Sequence, residues 1–369
     1  MTKVALLAES GDPRRGGAER AIRATAKALH RLGVEVELHV PSDRAGPALE
    51  GPTLVPLPMK PLPRATRARH LAYALAAAAE GATRIACGKL LDAELIWSHS
   101  GVHACARDAQ SRAGRSAFHA AVAVGLRQLR PVEWTFGGIE REQARACREG
   151  SARYLALSER VAADAREVLE LEPAAVLPNG VDPERFAPPT AEARREAQRA
   201  LAARTGAPEG APLALFAATS PRLKGLDAAF AALQQVEGLH LALVGAQVSA
   251  PAALAERVHT LGFVDDMPAL YRGASFLLHP SRYDPCSLVV LEALASGLGV
   301  VTTRADGAAQ FVTAERGAVV DCAEDHAALV EACTRLCDPA QAAAAQTAAA
   351  GFCRGWDQVA RELMEHVGA

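Results

Sequence analysis

The chain opens with a strand–loop–helix–strand rhythm and repeats it after a polar interval. Lys3 to Ala8 reads as a short apolar strand, Gly11 to Gly17 as a loop, and Glu19 to Leu32 as a helix. Ala21, Ile22, Ala24, Thr25, Ala28, Leu29 and Leu32 recur in that helix at helical spacing. Gly33 stops it in the left-handed cap position, and Val34 to Val40 reads as the next strand. Two strands joined through a helix pair in parallel by a right-handed crossover, in a sheet covered on both faces. From Leu213 the rhythm restarts: strand Leu213 to Ala218, loop Thr219 to Gly225, helix Leu226 to Val236, strand Leu239 to Val244. Further on come strand Phe276 to His279, helix Leu288 to Ser296 and strand Val300 to Thr303. The expected class is α/β, with two parallel sheets in series facing each other across a cleft. In such sheets ligands sit outside the carboxyl ends of the strands.

Between these halves the reading is coarser. Residues 41–70 are rich in proline and arginine and read as loop, 71–92 as helix, and Glu94 to Ser98 as strand. Residues 101–130 read as irregular and basic. Glu140 to Arg148 then reads as helix, Arg153 to Leu157 as strand, Glu159 to Glu170 as helix and Ala174 to Leu177 as a strand ended by Pro178-Asn179-Gly180. The stretch 182–212 is taken as the connection, with one helix inside it. Domains are expected over 1–181 and 182–355, with a final helix in 356–369 packing back on the first.

Composition narrows the function. The 369 residues suit two domains that each bury a core. A formal charge of -2 argues against nucleic-acid binding through bulk charge. No apolar run approaches the roughly 18 residues of a membrane span, and Val4 to Ala8 is too short for a signal-peptide core. The eight cysteines form no C-x-x-C pair and read as reduced thiols, without a zinc site, in a cytoplasmic protein.

Three loops could carry chemistry. Gly16-Gly17 precedes a helix, where such a pair serves as a plain tight turn or lets the backbone approach an anion. Neither a G-x-G-x-x-G dinucleotide fingerprint nor a P-loop is present. Thr219 to Gly225 places Arg222 and Lys224 after a strand, as a solvated loop or as a binder of phosphate oxygens. The third loop runs from His279 to Ser287 into the helix beginning at Leu288. There Asp284 and Glu292 are eight residues apart, and Ser287 is a good N-cap. Glu292 lies among Val289, Val290, Leu291, Ala293 and Leu294, where a carboxylate is costly unless it finds partners or faces solvent.

The three loops, and above all SRYDPCSLVVLEALASGLGVVTT (Ser281 to Thr303), resemble the retaining glycosyltransferases of family 4. Those enzymes have the GT-B fold of two facing Rossmann-like domains. The block corresponds to the family's E-x7-E element, and Pro178 to Asp182 matches the usual approach to the second domain. Within the family the chain is most similar to lipopolysaccharide core glucosyltransferases. Asp284 stands where the family usually has Glu, and Leu298-Gly299 replaces a common Leu-Pro.

The resemblance implies transfer of a hexose from a nucleotide diphosphate sugar, UDP-glucose or a related UDP-hexose, to a saccharide or lipid-linked acceptor. Glu292 would accept hydrogen bonds from ribose hydroxyls, and Asp284 would hold hydroxyls of the transferred sugar. Arg222 and Lys224 would neutralise the diphosphate. Backbone at Gly16, Gly17, Ser287 and Leu288 would complete the cradle, and the base would lie near Phe263 and Val264. The candidates for the acceptor side are His99, His103 and Asp108, with His103 the one expected to hydrogen-bond near the reacting carbon; either histidine reads equally as a satisfied loop residue. With no D-x-D triplet the reaction is expected to need no metal, and the nucleotide sugar is a co-substrate rather than a cofactor. The basic residues Lys60, Arg64, Arg67 and Arg69, then Arg107, Arg112, Arg115, Arg127 and Arg130, suit a solvated surface, a phosphorylated lipid acceptor or the anionic inner face of a membrane. A sugar-nucleotide epimerase and a non-catalytic nucleotide-sugar binder are the competing readings.

Overall fold

The computed structural model describes residues 2–245 and 247–368. Residues 1–180 with 354–369 form one compact unit, and 181–353 form a second. The first unit contains β1 (Lys3–Leu7), α1 (Gly17–Arg31), β2 (Glu35–Pro41), β3 (Thr53–Leu57), α2 (Arg64–Ala77), β4 (Thr83–Ala86) and β5 (Leu95–Trp97). It continues with α3 (His103–Arg112), α4 (Ala117–Gln128), α5 (Pro131–Arg148), β6 (Arg153–Ala156), α6 (Glu159–Leu169) and β7 (Ala175–Val176). All its strands pair in parallel, in the order β3-β2-β1-β4-β5-β6-β7.

The first βαβ unit folds as its spacing dictates. β1 buries Val4 to Leu7 and pairs Leu6 with Leu38 of β2. α1 turns Ala21, Ile22, Thr25, Ala28 and Leu29 inward. Gly33 has φ 81°, the left-handed conformation expected after the helix.

Three stretches of this unit differ from the sequence reading. Residues 41–70 are not all loop: β3 lies there, on the sheet edge where Pro56 leaves no central ladder bond unmade, and α2 begins at Arg64. The helix expected over 71–92 ends at Ala77, and the short β4 follows. The region 101–130, expected to be irregular, holds α3 and α4; α3 buries little besides Ser111, and the large apolar residues Phe118, Val122 and Leu126 of α4 face solvent rather than a core. α5 also starts earlier than Glu140, at Pro131, where proline is preorganised for the first helical position.

The second unit contains α7 (Ala191–Thr205), β8 (Leu213–Ala217), α8 (Leu226–Gln235), β9 (His240–Val244), β10 (Val258–Gly262), α9 (Met267–Gly273) and β11 (Phe276–His279). It closes with α10 (Leu288–Ala295), β12 (Val300–Thr303), β13 (Gly317–Val320), α11 (His326–Cys337) and α12 (Pro339–Ala349). The strand order is β10-β9-β8-β11-β12-β13, again all parallel. Phe216, Phe276, Leu241, Leu278, Leu329 and Cys333 form its core. Truncating a buried ring of that kind typically costs about 3–5 kcal/mol. α7 packs on α9 and so belongs to this unit. α13 (Trp356–Glu365) returns to the first unit, lies on α1 with Val359, Ala360 and Leu363 buried, and pairs Asp357 with Arg31.

Candidate active site

In the second sheet the chain leaves β8 toward β9 and β10, then returns to place β11 on the other side of β8. Strand order therefore reverses between β8 and β11. Open parallel sheets bind ligands at the carboxyl ends of the strands at such a switch. The loops leaving β8 and β11 are the Arg222–Lys224 loop and the Asp284 loop.

These loops interlock. Lys224 Nζ donates to Asp284 Oδ2 at 2.7 Å and to the Tyr283 carbonyl at 2.9 Å. The backbone N–H of Arg282 donates to the Leu223 carbonyl at 2.9 Å. Gly225 holds φ 76°, and a Cβ there would run into the Pro280 carbonyl, so the close approach needs glycine. Arg222 is exposed at the loop surface and makes no ion pair among the described residues.

Asp284 is fixed at its backbone as well. It pairs with Asp306 in a parallel bridge, donating its N–H to the Ala305 carbonyl and accepting from Gly307 N–H. Asp306 follows β12, so three adjacent strands deliver Lys224, Asp284 and Asp306 to one place. Asp306 is buried, and its Oδ1 accepts the N–H groups of Ala308 at 2.8 Å and Ser287 at 3.2 Å. His279 Nε2 lies 3.8 Å from Asp284 Oδ2 and 3.7 Å from Asp306 Oδ2.

The electrostatics follow from this crowding. Burial opposes ionisation of Asp284, but the Lys224 ammonium and the His279 ring together outweigh it and hold the carboxyl well below the usual carboxylate range. Burial, then the charge of Asp284, pushes Asp306 the other way, up to about 8. Burial also lowers the His279 pKa and keeps that ring neutral. His279, Asp284 and Asp306 offer donor atoms within 4.8 Å of one another, a set whose chemistry suits a divalent cation. Yet the Lys224 ammonium already lies against Asp284, and Asp306 Oδ1 is engaged by two amides. The chain supplies its own positive charge here.

Ser287 stands at the N-cap position of α10 but its side chain makes no cap hydrogen bond; the hydroxyl lies 3.4 Å from His279 Nε2, the amide is directed to Asp306, and Leu288 is the first helical residue behind it. Glu292 is buried in the second turn of α10 and accepts the Tyr271 hydroxyl of α9 at 2.8 Å. This is the partner that a carboxylate in an apolar helix requires. Beyond β10, the Phe263 ring is 79% exposed and Val264 is half-buried.

The remaining candidates lie in the first unit. Gly16 caps α1 and Gly17 begins it, after β1. His103 begins α3, with Nε2 2.9 Å from Glu133, which Arg107 also holds. Burial, helped by Lys89, lowers the His103 pKa to about 4 against the pull of Glu133. His99 is buried edge-on to Trp97, and burial lowers it to about 3. Asp108 is tied to Arg112 one turn along α3.

Sequence reading assigned no role to Tyr271, His279, Arg282 or Asp306, nor to Lys89 and Glu140. Lys89 and Glu140 form a buried pair at 3.3 Å near the His103 backbone. Asp306-Gly307, a turn signal after a strand, was the one cue available for Asp306. Two cavities, of about 410 Å³ beside Arg84 and Glu94 and about 700 Å³ beside Val320 and Arg335, are lined by none of the candidate site residues.

Comparison with known proteins matches both halves. Residues 15–185 match the model described as Glycosyltransferase Family 4, and residues 211–338 the model described as Glycosyl transferases group 1. A D-inositol 3-phosphate glycosyltransferase of Xylanimonas cellulosilytica is 29% identical over 62% of this chain and 61% of its own length. One from Salinispora arenicola is 32% identical over 58% of this chain and 52% of its own length. The chain thus spans little more than half of these relatives. Among solved structures, WaaG, a glycosyltransferase involved in lipopolysaccharide biosynthesis, superposes with TM-score 0.77 at 21% identity over 99% of this chain and all of its own. Anabaena HepE in complex with UDP and glucose gives 0.66 at 18% identity over the full length of both chains.

Proposed function

Because this chain belongs, by both halves, to the glycosyltransferase families of the GT-B fold, we propose that it moves a hexose from a nucleotide diphosphate sugar, UDP-glucose or a related UDP-hexose, to a saccharide or lipid-linked acceptor. The reading includes retention of anomeric configuration and no metal requirement. The observation that carries it is the meeting of Lys224 with Asp284 at the switch point of the second sheet.

Departure of a nucleoside diphosphate develops negative charge on its phosphates. Lys224 and Arg222 are the cations presented where that charge would form. Fixed donors of this kind typically contribute on the order of 10²–10³ in rate each. In this reading Asp284 accepts from hydroxyls of the sugar, and Glu292, which also accepts the Tyr271 hydroxyl, accepts from those of the ribose. Phe263 and Val264 bound the place of the base, and His103 serves the acceptor side. Gly16 and Gly17, with the backbone at Leu288, are the phosphate-facing amides. The Ser287 N–H, engaged by Asp306 Oδ1 at 3.2 Å, is not among them.

Peripheral contact with an anionic membrane is part of the proposal. α4 exposes Phe118, Val122 and Leu126 along one stripe, continued by Leu129 and Trp134, with Arg115 and Arg130 exposed beside them. An apolar stripe with basic flanks suits an anionic lipid surface. Arg67 and Arg69 are less suited to that role, since they pair with Asp43 and Glu142.

The decisive assay is UDP release from UDP-glucose with and without saccharide and lipid-linked acceptors. Acceptor-dependent release supports transfer. Isomerised UDP-sugar without acceptor would make the protein an epimerase, and UDP binding without turnover a binding protein. Co-sedimentation with vesicles that ignores anionic lipid would remove the membrane part alone.

A further inference from the structure

We infer that Arg282 is a positioning residue that fixes the Arg222–Lys224 loop from behind and does not itself meet the donor. This rests on the donor reading above for its effect on affinity, and on geometry alone for its effect on the loop. The Arg282 side chain is only 8% exposed although both of its acidic partners reach solvent. Its Nη1 and Nη2 grip Asp227 in the first turn of α8 at 2.7 and 2.9 Å. Its Nε donates to Glu324, between β13 and α11, at 2.7 Å. Nη1 also donates to the Arg222 carbonyl at 3.0 Å, while the Arg282 amide holds the next carbonyl, that of Leu223.

Two successive carbonyls of the cation loop are therefore bound by one residue of the neighbouring loop. The guanidinium, directed at three different elements, has its polar edges turned away from a ligand. Only a planar fork can serve these directions together, so lysine is not an equivalent. The cation loop's own closure is light: Lys224 N–H to Ser220 at 3.1 Å, Gly225 N–H to Arg222 at 3.3 Å and Leu226 N–H to Pro221 at 2.9 Å. Without Arg282 the loop keeps its charges and loses their placement.

The test uses the full chain in three variants, Arg282→Ala, Arg282→Lys and Asp227→Asn, the last keeping Arg282 but breaking its bidentate grip. Hydrogen exchange of residues 219–226 in the unliganded protein is expected to rise at least tenfold in all three, with protection elsewhere in the second unit unchanged. Affinity for the nucleoside diphosphate that the wild type binds best, among UDP, ADP and GDP, is expected to fall about tenfold. Millimolar guanidinium should restore part of it to Arg282→Ala only, which a merely unstable variant would not show. Unchanged exchange in a folded variant overturns the inference, as does unchanged affinity. Should Arg282→Ala not fold, Asp227→Asn decides. A wild type that binds none of the three nucleotides overturns the donor reading, and the exchange data then decide the clamp by themselves.

Discussion

Lys224 Nζ and Asp284 Oδ2 are 2.7 Å apart, so a cation that follows β8 is held by a carboxylate that follows β11. Each partner is mostly buried, with side-chain exposures of 17% and 15%. Replacing Lys224 with alanine removes the charge facing the leaving group and also strands Asp284 beside Asp306. Turnover should fall on the order of 10²–10³-fold. Stability should drop by about 1–3 kcal/mol, measured by denaturant unfolding. Lys224→Ala with Asp284→Asn should recover most of the stability and none of the activity. Wild-type turnover in a folded Lys224→Ala protein removes Lys224 from the site.

Asp284→Glu adds one methylene between a fixed backbone and the sugar. The bridge to Asp306 holds that backbone in place, so the longer side chain must advance toward the ligand or fold back on Lys224. The relative rates with UDP-glucose, UDP-galactose and UDP-N-acetylglucosamine should change severalfold. An identical donor profile would show that Asp284 does not touch the sugar.

Asp306 gives the site a pH dependence of definite sign. Burial and the charge of Asp284 raise its folded pKa to about 8, above the ordinary value near 3.8. The unfolded chain then releases this proton first, so its contribution to stability falls as pH rises from about 4 to about 8. One proton gives a slope of at most about 1.4 kcal/mol per pH unit. Asp306→Asn should flatten that slope in unfolding measurements. It should also abolish a rise in donor KM above pH 8, because the ionised group adds negative charge beside the diphosphate. A wild-type KM flat from pH 7 to 9 would contradict this.

Gly225→Ala should uncouple the two loops. Its left-handed backbone costs alanine about 1–2 kcal/mol, before the clash with Pro280 is counted. The expected result is a lower melting temperature together with a loss of nucleotide affinity larger than that of alanine substitutions on the α8 surface. Unaltered affinity would show that the loop spacing is not critical.

What could be read from the sequence was whatever is local and periodic. α1 announces itself because its inward positions recur every few residues, and β8 and α10 because they are short, nearly continuous apolar runs. β3 does not, since it is an edge strand bracketed by Pro52 and Pro58, and edges tolerate residues that signal loops elsewhere. α3 and α4 escape notice because α3 buries little besides Ser111 and the large apolar residues of α4 face solvent, so neither shows an inward apolar stripe between flanking turns. At the site, Lys224, Asp284 and Glu292 stood out by residue type and spacing. Tyr271 and Asp306 did not, because what makes them matter is contact with residues 21 and 19 positions away in the chain. The same holds for Arg282, whose partners Asp227 and Glu324 lie 55 and 42 positions away.

α13 lies on α1 although more than 300 residues separate them, with Asp357 on Arg31. The unit that emerges first from the ribosome is therefore the last to be finished. Until the closing helix arrives, the side of α1 that it covers stays bare, while residues 181–353 already hold every strand and helix of their own unit. A ribosome stalled past Cys353 would display one completed half and one still awaiting its cover, a window in which a chaperone has something to hold.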